Sequence, residues 1–473
     1  MTAISITIGL IYLLAAVGFV VALHLMNSPA TARAGSRLSW LGMIIAVAAA
    51  LAGIVHSGVI TTTGWIVLAA GGLAGAATGL VMACRVKMTA VPQVVSIFNA
   101  VGGGAAALIA IGDFTRLAAG PGIPGQTMIA TVLDVLIGPV TFSGSLIAAG
   151  KLQGWISASP VRFPGSRLLT IVLTVIGLGG SCYLLAGNDS APVLIVVICA
   201  ALAFGVTMVM PIGGADMPVV VALLNACTGI AVAVAGFVIN NGALIIGGAL
   251  VGASGGILTL LMARAMNRSV VNIMIGGFGT GNAAAASLQA AGAEAPVRRL
   301  SAEDAAIQLA YASKVIIVPG YGLAAAQAQH EAAELAAQLQ AHGITVFFAI
   351  HPVAGRMPGH MNVLLAEASV PYTDLREMDE ANPEFPTADV ALVVGANDVT
   401  NPAARRPGTA VSGMPILNVD QAKSIIVNKR SMGHGYAGID NELYTNPKTG
   451  MFFSDAKAGL AEITTAVKDL VAA

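Results

Sequence analysis

The stretch VPGYGLAAAQAQH at residues 318–330 decides the fold of the carboxyl-terminal part of the chain. It ends the apolar run KVIIVP (314–319), places Gly320 and Gly322 in a tight turn, and continues as an alanine-rich helix. Gly320-x-Gly322-x-x-Ala325 fits the dinucleotide-binding fingerprint with Ala in its third position. In that fingerprint the glycines permit the turn and a close backbone approach, and the helix N-terminus favours a pyrophosphate. The stretch therefore predicts a nucleotide site.

Composition divides the chain into two parts. Of its 473 residues, 56% are hydrophobic and 10% are charged, and the net charge is zero. The mean hydropathy of +0.83 is that of a membrane protein. Fourteen charged residues lie within residues 1–292 and thirty-two within 293–473, so the second part is typical of a soluble domain. Without an excess of basic charge, nothing favours nucleic acid as a ligand.

Nine apolar segments are each long enough to cross a bilayer, which needs about 20 residues. We predict these spans near residues 4–26, 38–57, 64–83, 92–111, 126–150, 167–186, 192–211, 217–239 and 242–264. Alternate connections carry the basic residues, which are Arg33, Arg37, Arg85, Lys87, Lys151, Arg162, Arg167, Arg264 and Arg268. The opposite connections contain only Arg116, so the positive-inside rule places the N-terminus outside and the soluble domain in the cytoplasm.

Two series of glycines at a spacing of four predict close helix packing within the membrane part. They are Gly71, Gly75 and Gly79 in the third span and Gly248, Gly252 and Gly256 in the ninth.

Polar residues inside the spans are functional candidates, because burying them in a bilayer is costly. Those in or next to spans are Asn99, Asp134, Asn225, Ser254 and, in a short connection, Asp216. A single buried Asn is often only an interhelical hydrogen bond, whereas this set across several spans indicates a hydrated polar path. No His lies near the middle of a predicted span, which also disfavours haem.

A metal site is not predicted. The four cysteines lie in or beside apolar segments and form neither a CxxC motif nor a Cys/His cluster, so we interpret them as small buried hydrophobic residues. They are Cys84, Cys182, Cys199 and Cys227. We find neither a catalytic triad nor a flavin site; hydride chemistry needs no side-chain nucleophile, because the cofactor carries it.

The residues after the spans predict a linker at 269–296, in which GGFGTG resembles a phosphate loop but lacks a βαβ context. Ser301 with Asp304 predicts a capped helix start. Six strands are predicted, near 314–319, 345–352, 374–378, 389–395, 415–420 and 424–429. With intervening helices they indicate a Rossmann-like α/β domain with a doubly wound parallel sheet. In the sequence this domain follows an all-α bundle of about nine transmembrane helices.

The residues at the strand ends favour NADP(H) over NAD(H). The second strand ends in AIHPVAGR, without the acid that usually holds a ribose 2′-OH. Lys429, Arg430 and Ser431 follow the last strand, and two cations with a hydroxyl suit a 2′-phosphate, although a solvated basic turn is the alternative. Asn397 and Asp398 follow the fourth strand at the edge where such sheets bind ligands.

Several motifs resemble the proton-translocating NAD(P)(+) transhydrogenase family, in particular its bacterial beta subunits. PGYGLAAAQAQH, HPVAGRMPGHMNVLLAEA, VGANDVTNPAA and KRSMGHGYAGIDN are similar to its NADP(H)-binding domain. GGADMPVVVALLNACTG, GASGGIL and AMNRSVVNIMIGGFG are similar to its membrane domain. The resemblance runs nearly end to end. It implies a transmembrane proton-translocating domain at 1–268, a linker at 269–296 and an NADP(H)-binding domain at 297–473.

The resemblance also implies the activity. Hydride would pass between NADP(H), held here in a flipped orientation, and NAD(H) on a partner alpha subunit, coupled to proton translocation across the bacterial inner membrane. The forward direction would make NADPH. The partners implied are the alpha subunit, with its NAD(H)-binding domain and further membrane helices, and a dimer of alpha–beta units.

The resemblance assigns roles residue by residue. Lys429, Arg430 and Ser431 would hold the 2′-phosphate, Arg356 the other phosphates, and Tyr436 would cover the cofactor; Asp398 and Asn397 would lie at the nicotinamide. The full cofactor-binding set is Gly320, Tyr321, Gly322, Leu323, Ala324, Ala325, Arg356, Met357, Pro358, Gly395, Ala396, Asn397, Asp398, Lys429, Arg430, Ser431, Met432, Gly435, Tyr436 and Ala437. The proton path would comprise Asn99, Asn225, Asp216, Ser254, Arg268 and Asp134.

One position departs from part of the family. Some members carry His where this chain has Asn99, and Asn cannot titrate. Other members place the proton-binding His on the alpha side, opposite an Asn, and we infer that this chain follows that plan. Asp134 is the alternative proton carrier.

Two other classes of function share part of this pattern. A channel or transporter gated by a nucleotide-sensing domain would need a bundle and a Rossmann-like domain, but not NADP selectivity or an exposed GAND edge. A membrane NADPH reductase would need haem ligands or a flavin site.

Overall fold

The computed structural model describes residues 3–26, 29–120, 123–157, 160–161, 164–213, 216–266, 269–274, 297–355, 359–407, 409, 411–433, 435, 437 and 439–472. By their contacts the residues form two compact units. One comprises Met1–Gly213 and Val219–Thr259, and the other comprises Gly214–Pro218 and Leu260–Ala473.

The first unit is helical, as predicted. Its helices are α1 (Ala3–Leu25), α2 (Pro29–Ser57), α3 (Thr62–Arg85), α4 (Val91–Ala118), α5 (Gly125–Gln153), α6 (Ser166–Leu185), α7 (Ala191–Val209), α8 (Met217–Val238) and α9 (Gly242–Ala265). Within the described part of the chain, these nine are the helices long and apolar enough to cross a membrane. They match the nine predicted spans. Helices satisfy every backbone polar group internally, which is what the bilayer requires.

Glycines bring α8 and α9 into backbone contact. A Cβ added at Gly248 would collide with the backbone of Ala233 on α8, and one at Gly252 would lie 3.2 Å from Ile230 Cγ1. Gly256, from the same predicted series, faces open space. The series on α3 behaves differently, because a Cβ added at Gly71, Gly75 or Gly79 would have no described heavy atom within 4 Å. The predicted packing of that series is therefore not made within the described chain.

Helix α5 packs on α4, α6 and α7. Polar side chains cross between these helices. Ser96 Oγ on α4 donates to the Ser145 carbonyl on α5 at 2.8 Å, and Ser143 Oγ on α5 donates to the Leu202 carbonyl on α7 at 2.8 Å. Lys151 Nζ donates to the carbonyls of Met210 and Ile212 at 2.5 and 2.7 Å, where α7 ends. A cation is stabilising at a helix C-terminus, so Lys151 fixes this end of α7 to α5.

The described residues of the carboxyl-terminal part contain six strands. They are β1 (Lys314–Pro319), β2 (Thr345–Ile350), β3 (Leu375–Glu377), β4 (Val390–Val394), β5 (Ser424–Lys429) and β6 (Thr449–Phe453). All neighbours pair in parallel, in the order β3-β2-β1-β4-β5-β6. This is the strand order of the doubly wound dinucleotide-binding fold, so the predicted fold class is confirmed.

Among the described residues, seven further α-helices lie before, between and after these strands. They are α10 (Val270–Met274), α11 (Ala302–Ala310), α12 (Tyr321–Ala326), α13 (Gln329–Ala341), α14 (His360–Glu367), α15 (Met378–Ala381) and α16 (Ala456–Ala472). Helix α10 lies inside the predicted linker, and the GGFGTG stretch is outside the described residues. The capping box at Ser301 and Asp304 starts α11 as predicted. The alanine-rich helix predicted after the glycine turn is interrupted, because Gln327 adopts φ 53° and separates α12 from α13.

One predicted strand is wrong. Residues 415–418 lie outside any strand and Val419–Gln421 form a 3-10 turn. Pro415 has no N–H for a ladder, and Leu417 N donates instead to the Val399 carbonyl at 2.9 Å. The sixth strand is β6, which the sequence reading missed and which pairs with β5. The count of six was right, but one member was misassigned.

The buried core of the sheet generates a stability prediction. Phe385 is 0% exposed and packs in the main core cluster beneath the sheet, whereas Tyr311 is 84% exposed. In a fragment of residues 297–473, we expect Phe385→Ala to lower the free energy of unfolding by about 4 kcal/mol, because it removes buried surface and leaves a cavity. Tyr311→Ala should change it by less than about 0.5 kcal/mol. Urea unfolding followed by circular dichroism measures both; equal effects would contradict the assigned core.

Candidate functional site

A cavity of about 400 Å³ opens at the carboxyl ends of β1, β4, β5 and β6. This is the edge at which doubly wound sheets bind ligands. Many residues predicted for cofactor binding line it, and these are Gly320, Tyr321, Gly322, Gly395, Ala396, Asn397, Asp398, Lys429, Arg430, Ser431 and Gly435. Segments far apart in the sequence are thus brought together at one sheet edge.

Other predicted cofactor residues do not line this cavity. Leu323 and Ala324 are 0% exposed and belong to the packing beneath the loop, while Ala325 and Met432 are exposed. Ala437 contributes its backbone N–H to Asp398. Four further residues, Arg356, Met357, Pro358 and Tyr436, lie outside the described residues.

The glycines of the fingerprint make a backbone contact that shapes the cavity. Gly320 N donates to the Val394 carbonyl and Gly322 N to the Gly395 carbonyl, both at 2.9 Å. A Cβ at Gly322 would lie 2.6 Å from Gly395 Cα. Gly395 itself has φ +65°, a conformation that favours glycine. The loops after β1 and β4 therefore touch directly. The glycines were expected to let the backbone approach a ligand closely, and here they let these two loops approach each other.

Asp398 anchors a second loop over the same edge. Its Oδ2 accepts from Ala437 N at 2.9 Å, and a Cβ added at Gly435 would collide with its carboxylate. Asn441 Nδ2 donates to the Asn397 carbonyl at 2.9 Å. The carboxylate of Asp398 and the backbone of Asn397 thus hold the segment after β5 against the loop after β4.

Lys429 and Arg430 differ in how they meet the cavity. Lys429 Nζ donates to the Gly433 carbonyl at 2.5 Å and lies 4.6 Å from the centre of the Tyr444 ring. Burial lowers the pKa of Lys429, while Asp398 and Asp440 act in the opposite direction. Arg430 and Ser431 are exposed at the cavity. The guanidinium of Arg430 is therefore the accessible cation of this pair.

Tyr444 is buried, with its ring beneath Lys429, and it supports the loop after β4 through a hydrogen bond. Its hydroxyl donates to the Ala396 carbonyl at 3.2 Å, and burial, the largest cause, raises the pKa of its phenol. The phenol therefore stays neutral and keeps its proton for this hydrogen bond.

Sequence reasoning missed part of the cavity lining. The missed residues are Val353, Ala354, Gly355, Val399, Asn428, Gly433, Ser454, Asp455 and Ala456. The last three follow β6, so missing that strand hid them. The signal was present, because the polar pair Ser454–Asp455 separates an apolar run from an alanine-rich helix, and Asp455 Oδ1 accepts from Lys457 N at 3.1 Å as a cap.

The polar residues of the membrane part lie in different settings. Asn99 is buried, and its Nδ2 donates across to the Val221 carbonyl on α8 at 3.3 Å. Asp134 is 0% exposed on α5. Asn225 is half-buried on α8, and Ser254 is exposed on α9 with its hydroxyl donating to the Leu250 carbonyl at 2.7 Å. Asp216 lies just before α8, and Arg268 is outside the described residues.

No group of three His, Cys, Asp or Glu side chains able to hold a metal ion occurs among the described residues. Taken together, the fold and the cavity define a class, in which a helical part of membrane-spanning character is joined to a doubly wound domain of the dinucleotide-binding type.

Comparison with known proteins identifies the family. The model of the NAD(P) transhydrogenase beta subunit family matches residues 8–466. The chain is 46% identical over 462 residues to the NAD(P) transhydrogenase subunit beta of Rhodospirillum rubrum, covering 96% of this chain and 98% of the relative. The same protein from the strain ATCC 11170 matches equally. The chain belongs to the NAD(P) transhydrogenase beta subunit family, a family of oxidoreductases.

His351, at the end of β2 beside the cavity-lining residues Val353–Gly355, generates a pH prediction. It is 1% exposed; its Nε2 hydrogen-bonds the Pro415 carbonyl at 2.8 Å, and its Nδ1 accepts from Val353 N. Burial lowers its pKa to about 4, against the opposing effect of the Pro415 carbonyl. The unfolded value is about 6.5. The neutral imidazole therefore contributes stability that is complete above about pH 6.5 and is lost as the pH falls towards 4.

In the fragment 297–473 we expect His351 to account for up to about 3 kcal/mol of stability lost across that pH window. His351→Gln should remove this pH-dependent contribution. The urea midpoint of the variant should therefore change less between about pH 6.5 and about pH 4 than the midpoint of the unsubstituted fragment. Parallel pH dependences would show that His351 is not held neutral.

Proposed function

We propose that this chain is the beta subunit of a proton-translocating transhydrogenase, in which residues 297–473 bind NADP(H). Hydride passes to or from NAD(H) on a partner alpha subunit, and the transfer is coupled to proton translocation through residues 1–268. The observation that carries the proposal is the cavity at the carboxyl edge of the sheet, lined by Arg430 and Ser431, in a chain of this family.

The residues at the cavity fit NADP(H). The strand β2 ends at Ile350 and is followed by His351, so no acid stands where an NAD site usually holds the 2′-OH. Arg430 and Ser431 offer a bidentate cation and a hydroxyl to a 2′-phosphate. Lys429 adds positive charge behind them, and Arg356 is proposed for the other phosphates. The loops around Gly320, Gly322 and Gly395 present backbone to the cofactor.

The chemistry of hydride transfer belongs to the nicotinamide itself. The chain's own residues position it and keep water away. Asp398 and Asn397 are proposed at the nicotinamide, and Asp398 also accepts a hydrogen bond from the backbone N–H of Ala437. Tyr436 is proposed to cover the cofactor. Loosening of the Asp398–Ala437 hydrogen bond would open the site, which gives the chain a means to control release of NADP(H).

The membrane part is proposed to carry protons past Asn99, Asn225, Asp216, Ser254, Arg268 and Asp134. Asn99 would orient water or a His of the alpha subunit. The described helices leave Ser254 exposed, as expected of a residue that meets partner membrane helices. We place the N-terminus in the periplasm and residues 297–473 in the cytoplasm of a bacterium, with two alpha–beta units per complex.

Coupling is proposed as a population shift. Proton occupancy would bias the equilibrium between an open and a closed NADP(H) site. The size of that bias would equal the difference between the free energies of proton binding to the two states. Asp216 lies directly before α8, in the connection from α7. Asp216 is therefore a candidate to transmit the state of the bundle, with the linker 269–296 following.

Replacing Arg430 tests the cofactor site. We expect Arg430→Ala to weaken NADPH binding roughly tenfold to a hundredfold, because charge-assisted hydrogen bonds to the 2′-phosphate are lost. Calorimetry on the fragment 297–473 measures this. Arg298→Ala, which replaces an exposed arginine that does not line the cavity, should bind as tightly as the unsubstituted fragment.

The same fragment, mixed with the NAD(H)-binding part of an alpha subunit, tests the reaction. We expect hydride transfer from NADPH to an NAD analogue, followed by absorbance, and its loss at limiting NADPH in Arg430→Ala. Tight NADPH binding without any transfer would favour a nucleotide-sensing role. Failure to bind NADPH would remove the basis of the proposal.

A further inference from the structure

Three polar groups without their usual hydrogen bonds lie within one turn of α5. Asp134 is 0% exposed, and neither carboxylate oxygen has a hydrogen-bond partner among the described residues. Thr131, three residues earlier, is also 0% exposed, and its hydroxyl has no described partner. Pro139 lies inside the helix and has no N–H, so the carbonyl of Val135 cannot receive its usual helical hydrogen bond.

Two fully buried side chains without a hydrogen-bond partner among the described residues are costly unless they serve a purpose. A buried polar group without a partner costs about 1–3 kcal/mol, and an ionised carboxylate costs more. An apolar side chain such as the neighbouring Val132 or Val135 would avoid that cost. Groups that repeatedly gain and lose a proton are the exception, because they must remain accessible to water or to another carrier.

Within the described part of the chain, no ion pair involves Asp134. On α4 the charged residues are Asp113 and Arg116, which pair with each other at 2.5 Å, and the Arg116 side chain is 75% exposed. On α5 itself Lys151 is engaged at the far end of the helix. On α6 the charged residue is Arg167, at its first turn.

The other helices near α5 carry thiols but no charged residue in their described spans. These are α7, with Cys199, and α8, with Cys227. A permanent ion pair is therefore not the role of this carboxyl group.

The position of Asp134 separates it from the other polar residues of the bundle. It lies nine residues after Gly125, about 14 Å along the helix axis from that end of α5. One turn further on, Gly138 meets Gly103 of α4, where a Cβ would lie 2.7 Å from the Gly103 carbonyl oxygen. The two helix backbones touch there. Ser96, Asn99 and Ser145 lie beyond that contact.

We propose that Asp134 and Thr131 form a proton-binding site of this chain, on the side of the Gly103–Gly138 contact that is opposite to Asn99. The inference rests on the proposed proton translocation. A proton adds to one carboxylate oxygen of Asp134, forming an O–H bond, and its departure restores the carboxylate; no other reactant is needed. Thr131 supplies a hydroxyl that accepts from the protonated form or donates to the ionised form. The Gly103–Gly138 contact keeps this site apart from the polar groups around Asn99.

The test uses the intact complex with its alpha subunit in liposomes, where a pH-sensitive dye follows proton movement and absorbance follows hydride transfer. Asp134→Asn should lower the rate of proton movement roughly a hundredfold, because the titrating group is gone. Asp134→Glu should retain measurable transport with a displaced pH profile. The matched control is Asp189→Asn, which removes an exposed acid between α6 and α7 and should transport like the unsubstituted complex.

Infrared difference spectra separate proton binding from packing. The unsubstituted complex should show a protonated carboxyl band that titrates with pH, present in Asp189→Asn and absent in Asp134→Asn. Normal transport in Asp134→Asn would overturn the inference, as would equal loss in Asn and Glu variants with an unchanged band. If Asp134→Asn does not accumulate in the membrane, a shifted carboxyl band in Asp134→Glu supports the site and an unshifted band overturns it. Absence of transport and hydride transfer in the unsubstituted complex would instead refute the proposed function.

Discussion

The backbone contact between the loops after β1 and β4 is the constraint on which the cavity at the carboxyl edge of the sheet depends. Gly322 and Gly395 lie so close that a side chain on either would displace the other loop. That contact fixes Ala396, whose carbonyl accepts from Tyr444, and the neighbouring Asn397, whose carbonyl accepts from Asn441. The fingerprint glycines therefore shape the cavity indirectly, because they fix the position of the loop after β4 independently of a cofactor.

Hydropathy and strand pattern predicted most of the fold for physical reasons. A bilayer admits helices of a minimum length with internal hydrogen bonds, so apolar length alone located nine of them. The misassigned strand shows the limit of this reasoning. Residues 415–420 read as an apolar run, yet Leu417 pairs with Val399 outside the sheet, while the short TGMFF segment completes it. Which of two short apolar runs joins a sheet edge is decided by tertiary pairing.

The same limit applies to the site. Because parallel strands end at one edge, the sequence could place Gly320, Asp398 and Arg430 together. It could not show that Lys429 is turned toward Gly433 and the Tyr444 ring, since those contacts depend on how the segment after β5 folds back. Asp455 was missed for a similar reason, because its place at the cavity follows from β6. Contacts that depend on how a loop folds back over the sheet cannot be predicted from the local sequence pattern.

The membrane part combines regular helix packing with a few buried polar residues, and the functional proposal rests on those polar residues. Glycine contacts such as Gly103–Gly138 bring the backbones of α4 and α5 together. Under the proposed function the proton path must be interrupted, since a path open to both sides at once would let protons pass without hydride transfer. Asp134 on one side of this contact and Asn99 on the other are two groups of polar residues, and under the proposed function their access would alternate with the state of the NADP(H) site.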